Sequence, residues 1–239
     1  MKKTIRSIIF VICIAVLLFS SYKIIDYYME EHKSASLIGD TKAEYAEASD
    51  IGLDINFTAL CEKYPEIKAW LFQPDTNINY PVVQSKDNDF YLRRLLDGSH
   101  NMNGTLFVDY RNSPDFSDFT TVIYGHNMKN GEMFASFPNY AKQEYFDAHP
   151  EMMLYTPDGD FKIQLFAGFL TDDTDMIYSV FNDGGPSGAE IFNYALEKSA
   201  FESGITEYNG EDLIVLSTCS YEKSNSRFIL VGILGKTGA

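Results

Sequence analysis

The 239 residues, 45% hydrophobic and 15% aromatic, carry enough apolar side chain for a substantial core and exclude a disordered chain. Acidic residues outnumber basic ones 34 to 19; four of the basic residues, Lys2, Lys3, Arg6 and Lys23, flank the first apolar run, so the chain from residue 24 onward holds 15 basic against 34 acidic residues, a net −19. Such a surface repels phosphate backbones and excludes nucleic acid as a partner.

Three cysteines, Cys13, Cys61 and Cys219, occupy three different settings with no CxxC spacing, so they form neither a disulfide framework nor a zinc site. Met1 to Arg6 is basic, and the uncharged run from Ile8 to Tyr22, extended past Lys23 by Ile24 and Ile25, reaches about eighteen residues, the length of a short membrane span. No small-x-small cleavage site follows it, which favours an uncleaved anchor over a signal peptide. Positive charge ahead of the span places the N-terminus in the cytoplasm and the remainder outside. The expected organisation is an anchor over 1–25, a polar helical or flexible stalk over 26–52 and a catalytic domain over 53–239. On the outside of a cell, an unpaired cysteine needs a reason, and a reactive thiol is one.

Asn56 caps a short helix that stops at Pro65, with Cys61 on it as a small apolar residue. Trp70 to Phe72 and Tyr80 to Gln84 read as strands, Asp87 to Leu96 as a brief helix, and Thr105 to Tyr110 and Thr120 to Tyr124 as further strands, the last ending at Gly125-His126-Asn127. Glu132 to Phe137 and Tyr140 to His149 are expected as helical segments ended by Pro138 and Pro150. Met152 to Tyr155 and Phe161 to Phe169, joined by Pro157-Asp158-Gly159, form the clearest hairpin, because alternate residues of its second strand are apolar. Ser187 caps a helix toward Phe201, and two apolar strands, Leu213 to Leu216 and Phe228 to Leu234, close the chain. Many short strands with brief helices between them predict an antiparallel or mixed barrel rather than a doubly wound sheet.

The two final strands carry Cys219 and Arg227, which an antiparallel hairpin brings together at one rim. Of the four histidines, His32, His100, His126 and His149, His126 stands at a strand end, the rigid support that proton transfer needs. A cysteine nucleophile needs a thiolate, a proton donor for the leaving group and a positive environment for the oxyanion, and Cys219, His126 and Arg227 suit those three roles. Taken singly, each also fits a plain role: a core thiol, a loop histidine, a strand-end ion pair.

Tyr124-Gly125-His126-Asn127-Met128-Lys129-Asn130-Gly131, Leu216-Ser217-Thr218-Cys219-Ser220 and Arg227 resemble the sortases. Asn79 to Gln84, Gly104 to Asn112 and Met133-Phe134 resemble the class B branch. The resemblance runs from about residue 53 to the end and implies a mostly β, closed barrel with short inserted helices and an N-terminal helical segment. It implies a membrane-anchored cysteine transpeptidase whose catalytic set is His126, Cys219 and Arg227, with no cofactor and no metal. In that family the cysteine cleaves a C-terminal sorting motif of an exported protein, forms a thioacyl enzyme and passes it to an amine of a cell-wall peptide. The partners so implied are sorting-motif surface proteins, the wall or peptidoglycan-precursor amine and the membrane. Pilin polymerisation, a non-catalytic tethered binding module and a hydrolytic peptidase stay open beside it.

Val215 stands where the family often has threonine, and Glu222, in the loop after the cysteine, is not assigned to assist the histidine. Asp172-Asp173-Thr174-Asp175 has the chemistry of a calcium ligand set but matches no EF-hand loop and reads as a solvated loop. With ordinary pKa values of about 8.5 for cysteine and 6.5 for histidine, an unperturbed pair at neutral pH holds only a few per cent thiolate.

Overall fold

The computed structural model describes residues 2–49, 52–219 and 226–237, with the side chains of Lys2 and Cys219 outside that description. A long helix, α1 (Lys2–Tyr45), leads into a small antiparallel pair, β1 (Ala46–Ser49) and β2 (Gly52–Ile55), and then α2 (Phe57–Lys63). The strands that follow are β3 (Ile67–Phe72), β4 (Asn79–Val83), β5 (Leu106–Val108) and β6 (Thr120–His126); α3 (Gln143–Ala148) separates them from β7 (Glu151–Tyr155) and β8 (Phe161–Asp172), and α4 (Gly188–Lys198) precedes β9 (Asp212–Cys219) and β10 (Ser226–Lys236). Among the described residues, eight strands close into a barrel in the order β10-β8-β7-β3-β4-β5-β6-β9. The pairings β4–β5 and β6–β9 are parallel and the rest antiparallel, which makes the barrel mixed.

Closure explains the apolar character of the strands. Interior positions meet one another, and inserted segments cover much of the outer wall. Phe166 therefore stacks on Phe192 of α4 with ring centroids 4.5 Å apart, so the inward–outward alternation of β8 gives way to burial on both faces from Leu165 to Phe169. Trp70 lies wholly within the core and its indole N–H donates to Asn79 Oδ1 at 2.7 Å, which satisfies the one polar atom its burial would otherwise strand. The expected hairpin β7–β8 forms, with Leu154 opposite Phe161. A complete capping box starts α4: Ser187 Oγ accepts from the Glu190 N–H while the Glu190 carboxylate accepts from the Ser187 N–H.

Two sequence expectations give way to tertiary structure. Asp87 to Leu96 is not a helix; only the 3₁₀ turn Tyr91–Arg93 forms there. The backbone of this segment is used elsewhere: Asn101 N–H donates to Arg93 O at 3.0 Å, Thr105 N–H to Tyr91 O at 3.1 Å, and Arg94 bridges to His100 as a strand would. Pro138 does not end a helix either. It lies inside one 3₁₀ run, Phe134–Ala141, whose aromatic residues Phe134, Phe137 and Tyr140 are wholly buried, so packing carries the segment through a missing N–H.

Helix α1 is continuous across residue 25. From Ile5 to Ile25 its large apolar side chains are exposed all round, and the helix is long and apolar enough to cross a membrane. Beyond that, Ser34, Ile38, Thr41 and Tyr45, spaced three and four apart, form one buried stripe against the barrel. Lys42 sits over the Tyr80 ring at 4.6 Å, and burial pushes its ammonium pKa down against the opposing pull of Glu132.

Candidate active site

The site forms where two strands far apart in sequence lie side by side. β6 and β9 pair in parallel from Thr120–Leu213 to His126–Cys219, so the last residue of each strand is the histidine and the cysteine. The β9–β10 ladder reaches Ile229 opposite Ser217; beyond it the Phe228 N–H donates to Thr218 Oγ1 and Arg227 bonds the Thr218 carbonyl, beside Cys219. All three residues singled out from the sequence thus meet at one rim of the barrel. The turn between the last two strands, with Glu222, lies outside the described residues.

His126 is 4% exposed. Its Nε2 lies 2.9 Å from the carbonyl of Leu92, and since a carbonyl only accepts, the ring carries its proton on Nε2. Burial lowers the imidazole pKa below its ordinary value and nearby Arg93 lowers it further, while the Leu92 carbonyl works in the opposite direction. Two glycines make this placement possible. A Cβ at Gly104, whose φ is +61°, would stand 2.7 Å from the carbonyl oxygens of Tyr91 and Leu92 and 3.1 Å from His126 Nε2. A Cβ at Gly125 would stand 2.4 Å from Leu106 Cδ2 and 2.6 Å from Phe134 Cδ2.

Arg227 donates from Nη1 to the Thr218 carbonyl at 3.2 Å, which ties the guanidinium to the residue before Cys219. Its Nε is buried with no hydrogen-bond partner among the described residues. Tyr178, on the 3₁₀ segment Met176–Phe181, faces both strands: its ring lies 5.8 Å from the Arg227 guanidinium and its hydroxyl shares a 2.7 Å hydrogen bond with Ser217 Oγ. The Tyr178 ring also stacks on Tyr124 at 6.4 Å. Tyr124 in turn donates to Asp109 Oδ2 at 3.0 Å.

Asp109 is a buried hub. Arg111 grips it with Nε at 2.8 Å and Nη2 at 2.8 Å, Asn88 donates to it at 2.8 Å, and the Arg111 guanidinium covers the Phe181 ring at 3.8 Å. Burial alone would raise the Asp109 pKa, yet the Arg111 and Asn88 hydrogen bonds hold it below the usual carboxylate range. This network fixes Tyr124 and the Met176–Phe181 segment around the cysteine strand. Ser217 and Asp109 lie within the stretches that carry the family resemblance, although no role followed for either; Tyr178 and the Leu92 carbonyl carry no signal in the sequence.

The remaining expectations fall elsewhere. Val215 is fully buried, paired with Val122 and Val231, where valine packs without a hydroxyl to satisfy. Asp175 is not a solvated loop residue: it is 8% exposed, caps the Ile177 N–H at 3.0 Å, and accepts from Thr171, from Tyr194 at 2.8 Å and from Lys198 at 3.3 Å. Asp172 accepts from the Thr174 N–H and hydroxyl. Among the described residues no group of three or more His, Cys, Asp or Glu is disposed to hold a metal ion. Cys61 is partly buried on α2, and burial raises its thiol pKa against the opposing influence of Lys68. His32 and His100 are exposed on or beside α1, and His149 donates from Nδ1 to the Tyr145 carbonyl at 3.0 Å.

Known proteins resemble this chain in sequence and fold. The sequence model of the Sortase domain matches residues 71–234. The chain is similar to Sortase B of Listeria monocytogenes, 31% identical over 234 residues that cover 93% of this chain and 94% of the relative. A crystal structure of sortase B from B. anthracis aligns with a TM-score of 0.71 at 28% identity, covering 87% of this chain and 99% of that one. The Staphylococcus aureus sortase B–substrate complex, at 23% identity and a TM-score of 0.71 over 92% of this chain and 100% of that one, shares the fold. With the Sortase domain spanning most of the barrel and a curated relative matching nearly end to end, the chain belongs to the sortase family, in its class B branch, whose members are cysteine transpeptidases.

Proposed function

We propose that this transpeptidase is tethered by residues 1–25, with its N-terminus in the cytoplasm, and that residues 53–239 act outside the cell on exported proteins bearing a C-terminal sorting motif, carried on a segment, 26–52, that begins within the same helix. His126, Cys219 and Arg227 are its catalytic set. The Cys219 thiolate attacks the scissile carbonyl carbon, a C–S bond forms, and the electron pair moves onto the carbonyl oxygen. Arg227, whose Nε lacks a partner among the described residues, offers that oxygen a cationic donor. As the tetrahedral species collapses, the C–N bond breaks and the departing amine takes a proton from the His126 imidazolium, leaving a thioacyl enzyme. An amine of a cell-wall peptide then attacks the thioester, His126 takes the proton that this amine loses, and the thiolate leaves.

The observation that carries the reading is the parallel register that ends with His126 beside Cys219, with Arg227 bonded to the carbonyl of the preceding residue. Burial lowers the pKa of His126 and so works against the imidazolium partner of the thiolate, whereas the Arg227 charge favours both thiolate and oxyanion.

The test is to incubate the full chain with sorting-motif peptides, with and without amine acceptors, and to read the products by mass spectrometry. A peptide adduct on Cys219 followed by amine-dependent ligation supports the proposal. Cleavage indifferent to amines identifies a hydrolase, ligation only to a pilin lysine identifies a polymerising enzyme, and no adduct with any peptide reduces the protein to a binding module.

A further inference from the structure

The strongest unassigned feature is the contact between α1 and the loop that holds the catalytic histidine. The buried stripe of α1 starts immediately after the apolar run: Asp26 and Glu30 are already half-buried, while Ile24 and Ile25 are exposed. Glu30 is the first firm attachment. Its backbone carbonyl accepts from Asn101 Nδ2 at 2.8 Å, its carboxylate accepts from the Met102 N–H at 3.4 Å, and one turn on Lys33 donates to Ser99 Oγ at 2.8 Å. On the other side of the helix contact, Glu31 accepts from Asn130 Nδ2 at 2.8 Å, in the segment that follows His126.

The helix is a ruler. At 1.5 Å per residue, Glu30 stands about 7.5 Å beyond Ile25 along the axis. The headgroup layer on each side of a bilayer, about 40–45 Å overall with a core of about 30 Å, is roughly 5–8 Å deep. The loop attached at Glu30 therefore lies at the depth of the headgroups. What it presents there fits: Met102 is 43% exposed and the His100 side chain is 60% exposed with its Nδ1 4.0 Å from the Glu30 carboxylate, beside a belt of exposed aromatic residues on the helix, Tyr22, Tyr27 and Tyr28. Met102 is the exposed apolar side chain of this loop, and a headgroup layer at that depth gives it an apolar partner.

We propose that the loop of residues 97–103 rests in the headgroup layer, so that the barrel is seated on the membrane surface rather than held away from it by a stalk. The same loop leads into Gly104, which packs against the Leu92 carbonyl that bonds His126, and into Thr105, whose N–H bonds the Tyr91 carbonyl, so the lipid contact and the histidine share one packed turn. The inference rests on the membrane anchor proposed above, and its test separates the two.

The chain has one tryptophan, Trp70, which is fully buried in the barrel and serves as the baseline. The full-length protein is reconstituted into phosphatidylcholine vesicles whose acyl chains are brominated either near the glycerol or near the bilayer centre. Met102→Trp, and separately His100→Trp in case the first variant folds poorly, should lose about half of the added emission to shallow bromines and little to deep ones, as expected for side chains at the headgroup–acyl boundary. Val16→Trp, within the apolar run, should be quenched most by the deep bromines. If Val16→Trp is quenched and neither loop variant is, the anchor stands and the seated barrel is overturned. If none is quenched, the anchor fails and the inference falls with it.

Discussion

The hairpin β7–β8 and the junction β6–β9 are both walls of one barrel, yet they are built on different information. The hairpin joins neighbours in sequence across a short turn and starts with visible alternation. The junction joins residues 120–126 to residues 213–219, and β6 is buried at every position, so no alternation marks which side chains face the interior. The residues proposed for catalysis lie at the junction and not in the hairpin. The difference teaches that the local element supplies stability, whereas the non-local pair supplies the juxtaposition, since only a closed barrel brings the ends of two distant strands to one rim.

That division is open to direct attack. Cys219→Ala should cut ligation by about 10³-fold or more, because it removes the proposed nucleophile, with the thermal midpoint measured beside it to separate chemistry from folding; an active variant would sink the assignment. In the hairpin, Phe166→Ala should cost about 3–5 kcal/mol in urea unfolding, by opening a void against Phe192, while the folded fraction keeps its turnover. Arg227→Lys should lower kcat by about 10²-fold, the scale of losing one oxyanion donor, with a smaller change in KM.

Glycine exchange sharpens the comparison further. Gly104 and Gly184 both have positive φ, +61° and +72°, but a Cβ at Gly184 meets nothing within 4 Å whereas one at Gly104 meets Leu92 O and His126 Nε2. Both alanine variants should lose about 1–2 kcal/mol of stability from the left-handed backbone. Only Gly104→Ala should also lower kcat and displace the acid limb of the pH profile, because it moves the carbonyl that bonds the imidazole.

The smallest effect concerns charge. Burial first, and Arg93 second, depress the pKa of His126. A depressed folded value means that His126 contributes full stability above its unfolded pKa of about 6.5 and loses that contribution as pH falls toward the folded value. Arg93→Gln should move the acid limb of kcat/KM to higher pH and weaken the loss of stability in acid, both measurable by titration; an unmoved limb would show that burial acts alone.

Much of the fold was readable in the chain. Asn56 and Ser187 announced their helices because capping is chemistry between residues three apart, and Pro157-Asp158-Gly159 announced the β7–β8 turn for a similarly local reason. Asp87 to Leu96 misled, since its helical composition competes with carbonyls already engaged by Asn101 and Thr105. His126, Cys219 and Arg227 stood out by residue type and by their positions at strand ends. The roles of the supports around them did not: Leu92 acts through a backbone oxygen, which has no residue identity, and Asp109, though within a resembling stretch, acts through Tyr124 and Tyr178 across long loops.

The sequence by itself determined the apolar anchor-like run, the strand-rich composition and the three reactive residue types, because hydrophobic patterning and side-chain chemistry are local properties. Only the tertiary structure decided that β6 and β9 run parallel to a shared end, that one helix continues from the apolar run onto the barrel, and that a backbone carbonyl sets the histidine's tautomer. Those are relations between distant backbones, fixed by barrel closure and burial, and no local pattern encodes them.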